Sequence, residues 1–155
     1  VITGGASGLG RRTAEYFVRD KGAKVAVFDL NDDAGAALVA QLGEANALYR
    51  RVDVTDEAAV SAGVQASVER FGRIDVCVNC AGIGIAVRTL SKQGPHSLDL
   101  FAKVLQVNLL GTFNTLRLAA AAMATNPPNE EKERGVIINT ASIAAYDGQI
   151  GQAAY

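Results

Sequence analysis

An α/β fold with a parallel sheet is predicted by two patterns in this chain of 155 residues. Apolar runs of strand length alternate with longer segments of helical period, which is the pattern of successive βαβ units. The first apolar run leads through Gly4, Gly8 and Gly10 into such a helical segment. Glycines at this kind of turn allow positive φ and let the backbone approach a phosphate closely. We therefore expect one domain over residues 1–155, with a dinucleotide cleft beside the turn.

Five strands and four helices are predicted in alternation. The strands are placed at residues 1–3, 24–29, 47–52, 74–79 and 135–140, and the helices at 9–21, 32–42, 56–71 and 98–124. Thr55 and Asp56 are suitable caps for the third helix, and Gly22 and Gly72 end the first and third. Residues 83–97 contain Gly94-Pro95 without a clear period, so they are predicted to form a loop above the cleft.

The connections between the strands fix the predicted topology. Right-handed crossovers give the strand order 3-2-1-4-5, which is a three-layer Rossmann fold with a doubly wound parallel sheet. In such a sheet the ligand cleft opens at the carboxyl ends of strands one and four. The glycine turn and the residues that follow strand four meet at that edge.

Composition excludes several classes of function. The net charge of -1 and the lack of a basic stripe make a nucleic-acid partner unexpected. The longest helical apolar run, residues 118–124, is far shorter than the roughly 20 residues that span a bilayer. His96 is the only histidine, so neither a zinc site nor a Ser-His-Asp triad is expected. Cys77 and Cys80 match a redox dithiol spacing, but Cys77 lies inside an apolar run, which favours a reduced buried thiol.

Asp29 is the residue that bears on the choice of cofactor. It ends the second strand about 20 residues after the glycines, where a carboxylate accepts hydrogen bonds from the adenosine ribose and repels a 2′-phosphate. The sequence therefore predicts NAD as the cofactor. An alternative role for Asp29 is to cap the next helix, although Asn31 and Asp32 are equally suitable caps. Arg11 and Arg12 either face a phosphate or are solvated on the first helix.

Five motifs together resemble the short-chain dehydrogenase/reductase family. They are Thr3-Gly4-x-x-x-Gly8-x-Gly10, Asp53-Val54, Asn79-Cys80-Ala81-Gly82, Asn108, and Ser142 placed thirteen residues before Tyr155. The resemblance covers the whole chain and implies a set of residues that contact the cofactor. That set is Gly4, Ser7, Gly8, Leu9, Gly10, Asp29, Asp53, Val54, Cys80, Ala81 and Gly82. It places the adenine amino group at Asp53 and the nicotinamide ribose at Cys80 and Ala81.

The resemblance also implies the catalytic residues. Tyr155 is the general base that takes the proton of a substrate hydroxyl, Ser142 holds the substrate oxygen, and Asn108 fixes a water on the proton path. Gln149 is expected to meet the substrate, although a polar turn explains it equally well. Taken singly, Ser142 and Asn108 are also explained by hydrogen bonds to local backbone groups.

The implied function is that of an NAD-dependent oxidoreductase that interconverts a secondary alcohol and a ketone. The leading substrate is 3-hydroxyacyl-CoA, and the alternatives are a hydroxysteroid or a non-catalytic NAD-binding sensor or interaction module. The family's active-site lysine stands four residues after the tyrosine, whereas the sequence ends at Tyr155. We therefore expect an N-terminal part of a longer protein, without the last strands of the fold and without turnover on its own. The resemblance implies a homotetramer, mitochondrial in a eukaryote and cytoplasmic in a bacterium.

Overall fold

The computed structural model describes residues 1–155 and contains seven strands. They are β1 (Ile2–Thr3), β2 (Val25–Asp29), β3 (Ala47–Arg51), β4 (Val76–Asn79), β5 (Leu90–Ser91), β6 (Gly94–Pro95) and β7 (Val136–Asn139). Five of them form one sheet in the order β3-β2-β1-β4-β7, and every neighbouring pair in it is parallel. The predicted order 3-2-1-4-5 is confirmed, with β7 as its fifth strand.

Helices cover both faces of this sheet. They are α1 (Gly8–Lys21), α2 (Asp32–Leu42), α3 (Glu57–Phe71), α4 (Leu98–Leu105) and α5 (Thr112–Met123), with a π-helical segment at Gln106–Gly111 and a 3₁₀ turn at Ile143–Ala145. No helix combines the length and the apolar character that a membrane crossing requires.

The central strand β2 shows how the sequence specifies three layers. Val25 and Val27 belong to one buried cluster, which also contains Leu38 of α2. Ala26 and Phe28, which alternate with those valines, belong to a second cluster on the opposite face of the sheet. Because successive side chains of a strand point to opposite faces, a continuous apolar run indicates a strand covered on both sides.

Local hydrogen bonds fix the ends of the helices where the sequence predicts them. The Asp56 carboxylate accepts hydrogen bonds from the amides of Ala58 and Ala59, at 2.8 and 3.2 Å, and so caps α3. Gly22 ends α1 with a φ of 61°, a conformation in which a side chain is unfavourable. Gly72 ends α3 with a φ of 89°.

Two predicted segments differ from the structure. The long helix over 98–124 ends at Met123 and is interrupted by the π segment at Gln106–Gly111. The predicted loop over 83–97 contains the antiparallel hairpin β5–β6, whose turn is stabilised by a hydrogen bond from the Gln93 amide to the Ser91 hydroxyl. Strands of two residues are too short to produce a period in the sequence.

A partly buried chain of hydrogen bonds joins the carboxyl ends of β1, β4 and β7. The Thr3 hydroxyl accepts hydrogen bonds from the amides of Cys80 and Ala81, each at 3.2 Å. A hydroxyl has two lone pairs and one proton, so this proton is left for Asn79 Oδ1, at 3.4 Å. Asn79, only 3% exposed, then donates from Nδ2 to Asn139 Oδ1 at 2.9 Å. The donor and acceptor at each step are therefore determined by the step before, and we call this chain the polar relay.

In the relay, Asn139 acts as an acceptor. An isostere that keeps an acceptor oxygen can therefore replace it, whereas an apolar isostere cannot. We expect Asn139→Leu to lower the free energy of unfolding by about 1–3 kcal/mol, because it leaves the buried Asn79 Nδ2 without an acceptor. Asn139→Asp keeps an acceptor oxygen at an exposed position and is expected to cost less than about 1 kcal/mol. Urea unfolding of both variants measures the difference, and equal losses would show that the relay has no fixed direction.

Candidate active site

Two cavities meet at the carboxyl edge of the sheet. The first has a volume of about 420 Å³, and its lining includes every residue predicted to contact the cofactor: Gly4, Ser7, Gly8, Leu9, Gly10, Asp29, Asp53, Val54, Cys80, Ala81 and Gly82. The second, of about 660 Å³, is lined by all the predicted catalytic and substrate residues: Asn108, Ser142, Gln149 and Tyr155. Leu9, Cys80, Ala81, Gly82 and Ile83 line both, so the two form one continuous cleft.

A third cavity of about 470 Å³ lies at the opposite edge of the sheet. It is lined by residues such as Phe17, Ser67 and Phe71, and none of the predicted site residues borders it. Ligands of open parallel sheets bind beyond the carboxyl ends of the strands, so the two joined cavities form the candidate site.

The glycine turn closes one wall of the cleft because side chains do not fit there. Gly4 has a φ of 59°, and a Cβ on it would lie 2.8 Å from the Ala81 nitrogen. A Cβ on Gly10 would overlap the Gly4 carbonyl oxygen. Gly8, with a φ of 50°, begins α1 and has open space on its Cβ side. The backbone alone therefore forms this wall.

The N-terminus of α1 is suited to bind an anion. Its first turn contains no acidic residue, and the Ser7 side chain at its N-cap makes no capping hydrogen bond. The first amides of a helix have no partners within the helix and carry its positive dipole end. Since Ser7, Gly8, Leu9 and Gly10 all line the first cavity, these amides are placed for a pyrophosphate.

Asp29 fastens the glycine turn and borders the first cavity. Its Oδ2 accepts a hydrogen bond from the Ala6 amide at 3.0 Å, and its Oδ1 accepts one from the Asn31 amide at 3.1 Å. Asn31, and not Asp29, caps α2, since Asn31 Oδ1 accepts a hydrogen bond from Ala34 at 3.0 Å. Asn31 therefore performs the capping role that was the alternative for Asp29.

The two arginines of α1 are directed away from the cleft. Arg11 and Arg12 pair with the Glu15 carboxylate at 3.2 and 3.3 Å, and neither lines the cleft. The hydrogen bond from Arg11 is the main reason that the pKa of Glu15 is lowered. The structure therefore agrees with the second role considered for these arginines: they do not face the cleft but lie on the surface of the helix, where both pair with Glu15.

Asp53 and Val54 form the far end of the first cavity. Asp53 Oδ1 accepts hydrogen bonds from the amide and hydroxyl of Thr55, at 2.9 and 2.7 Å. The amide contributes most to lowering the pKa of Asp53, followed by the hydroxyl, whereas burial opposes them. Oδ2 has no donor within the protein and remains free. Asn114 of α5 donates to the Val54 carbonyl at 2.9 Å, which holds this turn against the helix.

The end of β4 lies where the two cavities join. The polar relay fixes the amides of Cys80 and Ala81 through the Thr3 hydroxyl. Thr140 donates a hydrogen bond to the Cys80 sulfur at 3.5 Å. Cys77 is fully buried on the α3–α5 face, whereas Cys80 packs against the cluster on the α1–α2 face, so the two form no disulfide. Burial raises the pKa of the Cys77 thiol, as expected for a structural cysteine.

Asn108 connects the π segment to the loop after β4. Its Oδ1 accepts from the Ile83 amide and its Nδ2 donates to the Ile83 carbonyl, both at 2.8 Å. These bonds join residues far apart in sequence, so local backbone satisfaction does not explain Asn108. The side chain fixes the position of the loop that borders both cavities.

Ser142 and Tyr155 face the second cavity. Ser142 Oγ accepts a hydrogen bond from the Ala144 amide at 3.2 Å, which leaves its own proton available to another acceptor. The Tyr155 side chain is 46% exposed, and its hydroxyl makes no hydrogen bond to the protein. A bond of 2.7 Å from the Val87 amide to the Gly151 carbonyl ties the loop after β4 to the segment that carries Gln149 and Tyr155.

Sequence reasoning gave no structural role to three residues that organise this site, although Thr3 was named as part of the glycine motif. Thr3 and Asn139 belong to the polar relay, and Ile83 is the backbone partner of Asn108. The available signal for Thr3 was a hydroxyl residue at a buried strand end directly before the glycines. Ile83 acts through its main chain, so its side chain gives no signal.

Comparison with known proteins gives a consistent assignment. The profile of the family described as short chain dehydrogenase matches residues 1–155. The 3-hydroxyacyl-CoA dehydrogenases type-2 of Drosophila melanogaster and Homo sapiens are 49% and 50% identical to this chain, with alignments that cover 100% of it and 61% and 59% of those proteins.

A solved structure is similar to this chain in both fold and sequence. The crystal structure of 3-hydroxyacyl-CoA dehydrogenase type-2 from Mycobacterium avium superposes with a TM-score of 0.90 at 39% identity, covering 99% of this chain and 60% of that one. The chain thus spans about three fifths of the length of the relatives it matches. It belongs to the short-chain dehydrogenase family, whose members are oxidoreductases that use NAD or NADP.

Proposed function

We propose that this protein binds NAD in the first cavity and interconverts a secondary alcohol and a ketone in the second, with 3-hydroxyacyl-CoA as substrate. The observation that carries the proposal is the continuity of the cleft. Its first cavity is lined by all the residues expected to hold a dinucleotide, and its second by Asn108, Ser142, Gln149 and Tyr155. The names of the fly and human relatives support the substrate class.

The residues of the first cavity fit a dinucleotide from end to end. Free amides at the start of α1 are placed for the pyrophosphate, and the free Oδ2 of Asp53 is an acceptor for the adenine amino group. Asp29 keeps lone pairs that accept from the ribose hydroxyls, and its charge disfavours a 2′-phosphate. The fixed amides of Cys80 and Ala81 border the nicotinamide end.

The second cavity supplies the acid–base chemistry. When bound, NAD would supply the hydride acceptor at the end of the cleft that Cys80 and Ala81 border. Ser142 donates a hydrogen bond from its free hydroxyl to the substrate oxygen and thereby orients it. Tyr155, acting as the phenolate, takes up the proton of the substrate hydroxyl, and the positive charge of the oxidised nicotinamide would stabilise that phenolate. Gln149 borders the same cavity and is placed to meet the rest of the substrate.

We also propose self-association through the long helical segment, as the family resemblance implies. Leu109 and Phe113, one helical turn apart, are 60% and 58% exposed, and Leu105 continues the same stripe. Large apolar side chains in a row on one helix face are typical of an interface. Light scattering of the purified protein measures the assembly.

The first experiment separates binding from turnover. We expect NAD to bind at least about tenfold more tightly than NADP, because Asp29 repels the extra phosphate. Calorimetric titration measures both affinities. NADH absorbance with 3-hydroxybutyryl-CoA and NAD measures oxidation by the whole protein, since residues 1–155 alone are expected to bind NAD without turnover. Binding of NAD without oxidation of any secondary alcohol would favour the non-catalytic NAD module. Oxidation of a steroid alcohol alone would favour the hydroxysteroid enzyme. Failure to bind NAD would refute the proposal.

The roles of the second cavity predict a split between catalysis and binding. In the catalytically competent protein, Tyr155→Phe is expected to lower kcat by about 10²–10⁴-fold, since general-base catalysis contributes that much. Ser142→Ala is expected to lower kcat in the same direction, and both variants should keep the affinity for NAD. A control, Tyr146→Phe, removes an exposed phenol outside the cleft and should leave kcat unchanged. Equal losses for both tyrosine variants would remove Tyr155 from the mechanism.

The lowered pKa of Asp53 predicts how binding depends on pH. Its carboxylate is an acceptor above its pKa and loses that role as pH falls through the pKa. Thr55→Val removes the hydroxyl donor and so raises the pKa of Asp53, because only the amide hydrogen bond remains. At pH 7 we expect the Thr55→Val variant to bind NAD with an affinity within about twofold of that of the unmodified protein. As the pH is lowered, we expect the NAD affinity of the variant to begin to fall at a higher pH than that of the unmodified protein. Calorimetric titrations from neutral to acid pH measure this, with Thr125→Val as a control remote from the cleft; superimposable profiles would contradict it.

A further inference from the structure

We propose that Asp32 is a second determinant of cofactor choice, acting through Arg51. In this proposal Asp32 holds Arg51 in an ion pair beside the ribose end of the cleft and so keeps its guanidinium from a 2′-phosphate. The inference rests on the proposed binding of NAD in the first cavity.

The sheet places Arg51 next to Asp29. The two residues are direct partners in the parallel register of β2 and β3, so their side chains project from the same face of the sheet. They are not paired with each other. The Asp29 oxygens accept from the amides of Ala6 and Asn31, whereas Arg51 Nη1 donates to Asp32 Oδ2 at 2.9 Å and to the Leu30 carbonyl. Leu30 itself lines the first cavity. The Arg51 guanidinium, which is hydrogen-bonded to the Leu30 carbonyl, therefore lies next to a residue of the cavity wall.

Tyr49 fixes the other side of Asp32. The Tyr49 hydroxyl lies 2.8 Å from Asp32 Oδ1 and 3.0 Å from the Asp29 carbonyl oxygen. Its ring packs so closely on α2 that a Cβ on Gly35 would overlap it. Burial, with the adjacent Asp32 carboxylate, raises the pKa of Tyr49 to about 12, so the phenol keeps its proton. Both oxygens of Asp32 are therefore engaged, one by Tyr49 and one by Arg51.

This arrangement changes what a 2′-phosphate meets at the ribose. An unpaired arginine beside the ribose would attract it, since a guanidinium binds phosphate through two parallel hydrogen bonds. With Arg51 neutralised by Asp32, the phosphate meets the charge of Asp29 without compensation. The side chains of Arg51 and Asp32 are each 61% exposed, and such a surface pair contributes little to stability. An effect on ligand choice is therefore separable from an effect on folding.

The chain offers a matched control for Asp32. Asp33 is the next residue of α2, lies in the same first turn and makes no side-chain hydrogen bond or ion pair. Asp33→Asn removes the same charge from the same helix end without releasing Arg51. Any general effect of net charge or of the helix dipole is thus measured by Asp33→Asn.

The experiment uses adenosine 2′,5′-bisphosphate and AMP as probes, titrated by calorimetry at low salt. In an Asp29→Asn background, adding Asp32→Asn is expected to tighten binding of the bisphosphate at least about tenfold, because the charge of Arg51 is then no longer neutralised and can attract the 2′-phosphate. Adding Asp33→Asn should change it by less than about threefold. A further Arg51→Gln change should abolish the gain, while AMP affinity stays within about twofold in the Asp32 and Asp33 variants.

Two results would overturn this inference. One is an equal gain from Asp32→Asn and Asp33→Asn, which would indicate a general charge effect. The other is a gain that persists after Arg51→Gln. If the unmodified protein binds neither AMP nor NAD, the proposed cofactor function fails first, and that outcome is distinct from a failure confined to the Asp32 variant. Thermal unfolding of each variant shows that the compared proteins are folded.

Discussion

The structure depends on the close approach of two backbone segments at the carboxyl edge of the sheet. Gly4 lies so near the main chain of Cys80 and Ala81 that no Cβ fits between them, and Gly10 lies even nearer to the main chain of Gly4. This contact brings the start of α1, at Gly8, beside the end of β4, at Asn79, although these elements are far apart in the chain. The cleft depends on this close contact of backbone with backbone, to which the Thr3 hydroxyl adds two hydrogen bonds.

Hydrogen bonds of fixed polarity extend this contact across the sheet. The amides of Cys80 and Ala81 occupy the lone pairs of the Thr3 hydroxyl, so its proton goes to Asn79, and the amide of Asn79 is thereby oriented toward Asn139. Asn139 stands at the end of β7, three residues before Ser142. The relay therefore couples the position of the cofactor wall to that of a proposed catalytic residue.

The sequence predicted those features that depend on neighbouring residues. The caps at Asp56 and Gly22 and the alternation of β2 follow from residues that contact within a few positions, so they could be predicted. The resemblance supplied Asn108 and Ser142. The pairings of Asn79 with Asn139 and of Asp32 with Arg51 depend on the register of strands far apart in sequence. A pattern of residue types does not contain that register.

The charges of the cleft bear on how it would bind the proposed dinucleotide without a basic field. The first cavity is lined by Asp29 and Asp53 and by a single lysine, Lys103. Arg11 and Arg12 are engaged by Glu15, and Arg51 by Asp32. In the proposed complex the pyrophosphate lies at the uncharged amides at the start of α1, which can approach it closely because Gly8 and Gly10 have no side chains. Amides at a fixed helix end bind a phosphate only at one position, whereas flexible arginines would also bind it elsewhere. In the proposed complex, two features therefore favour binding of the phosphate at a single position. The glycines expose the helix amides, and the ion pairs keep the arginines from binding the phosphate elsewhere.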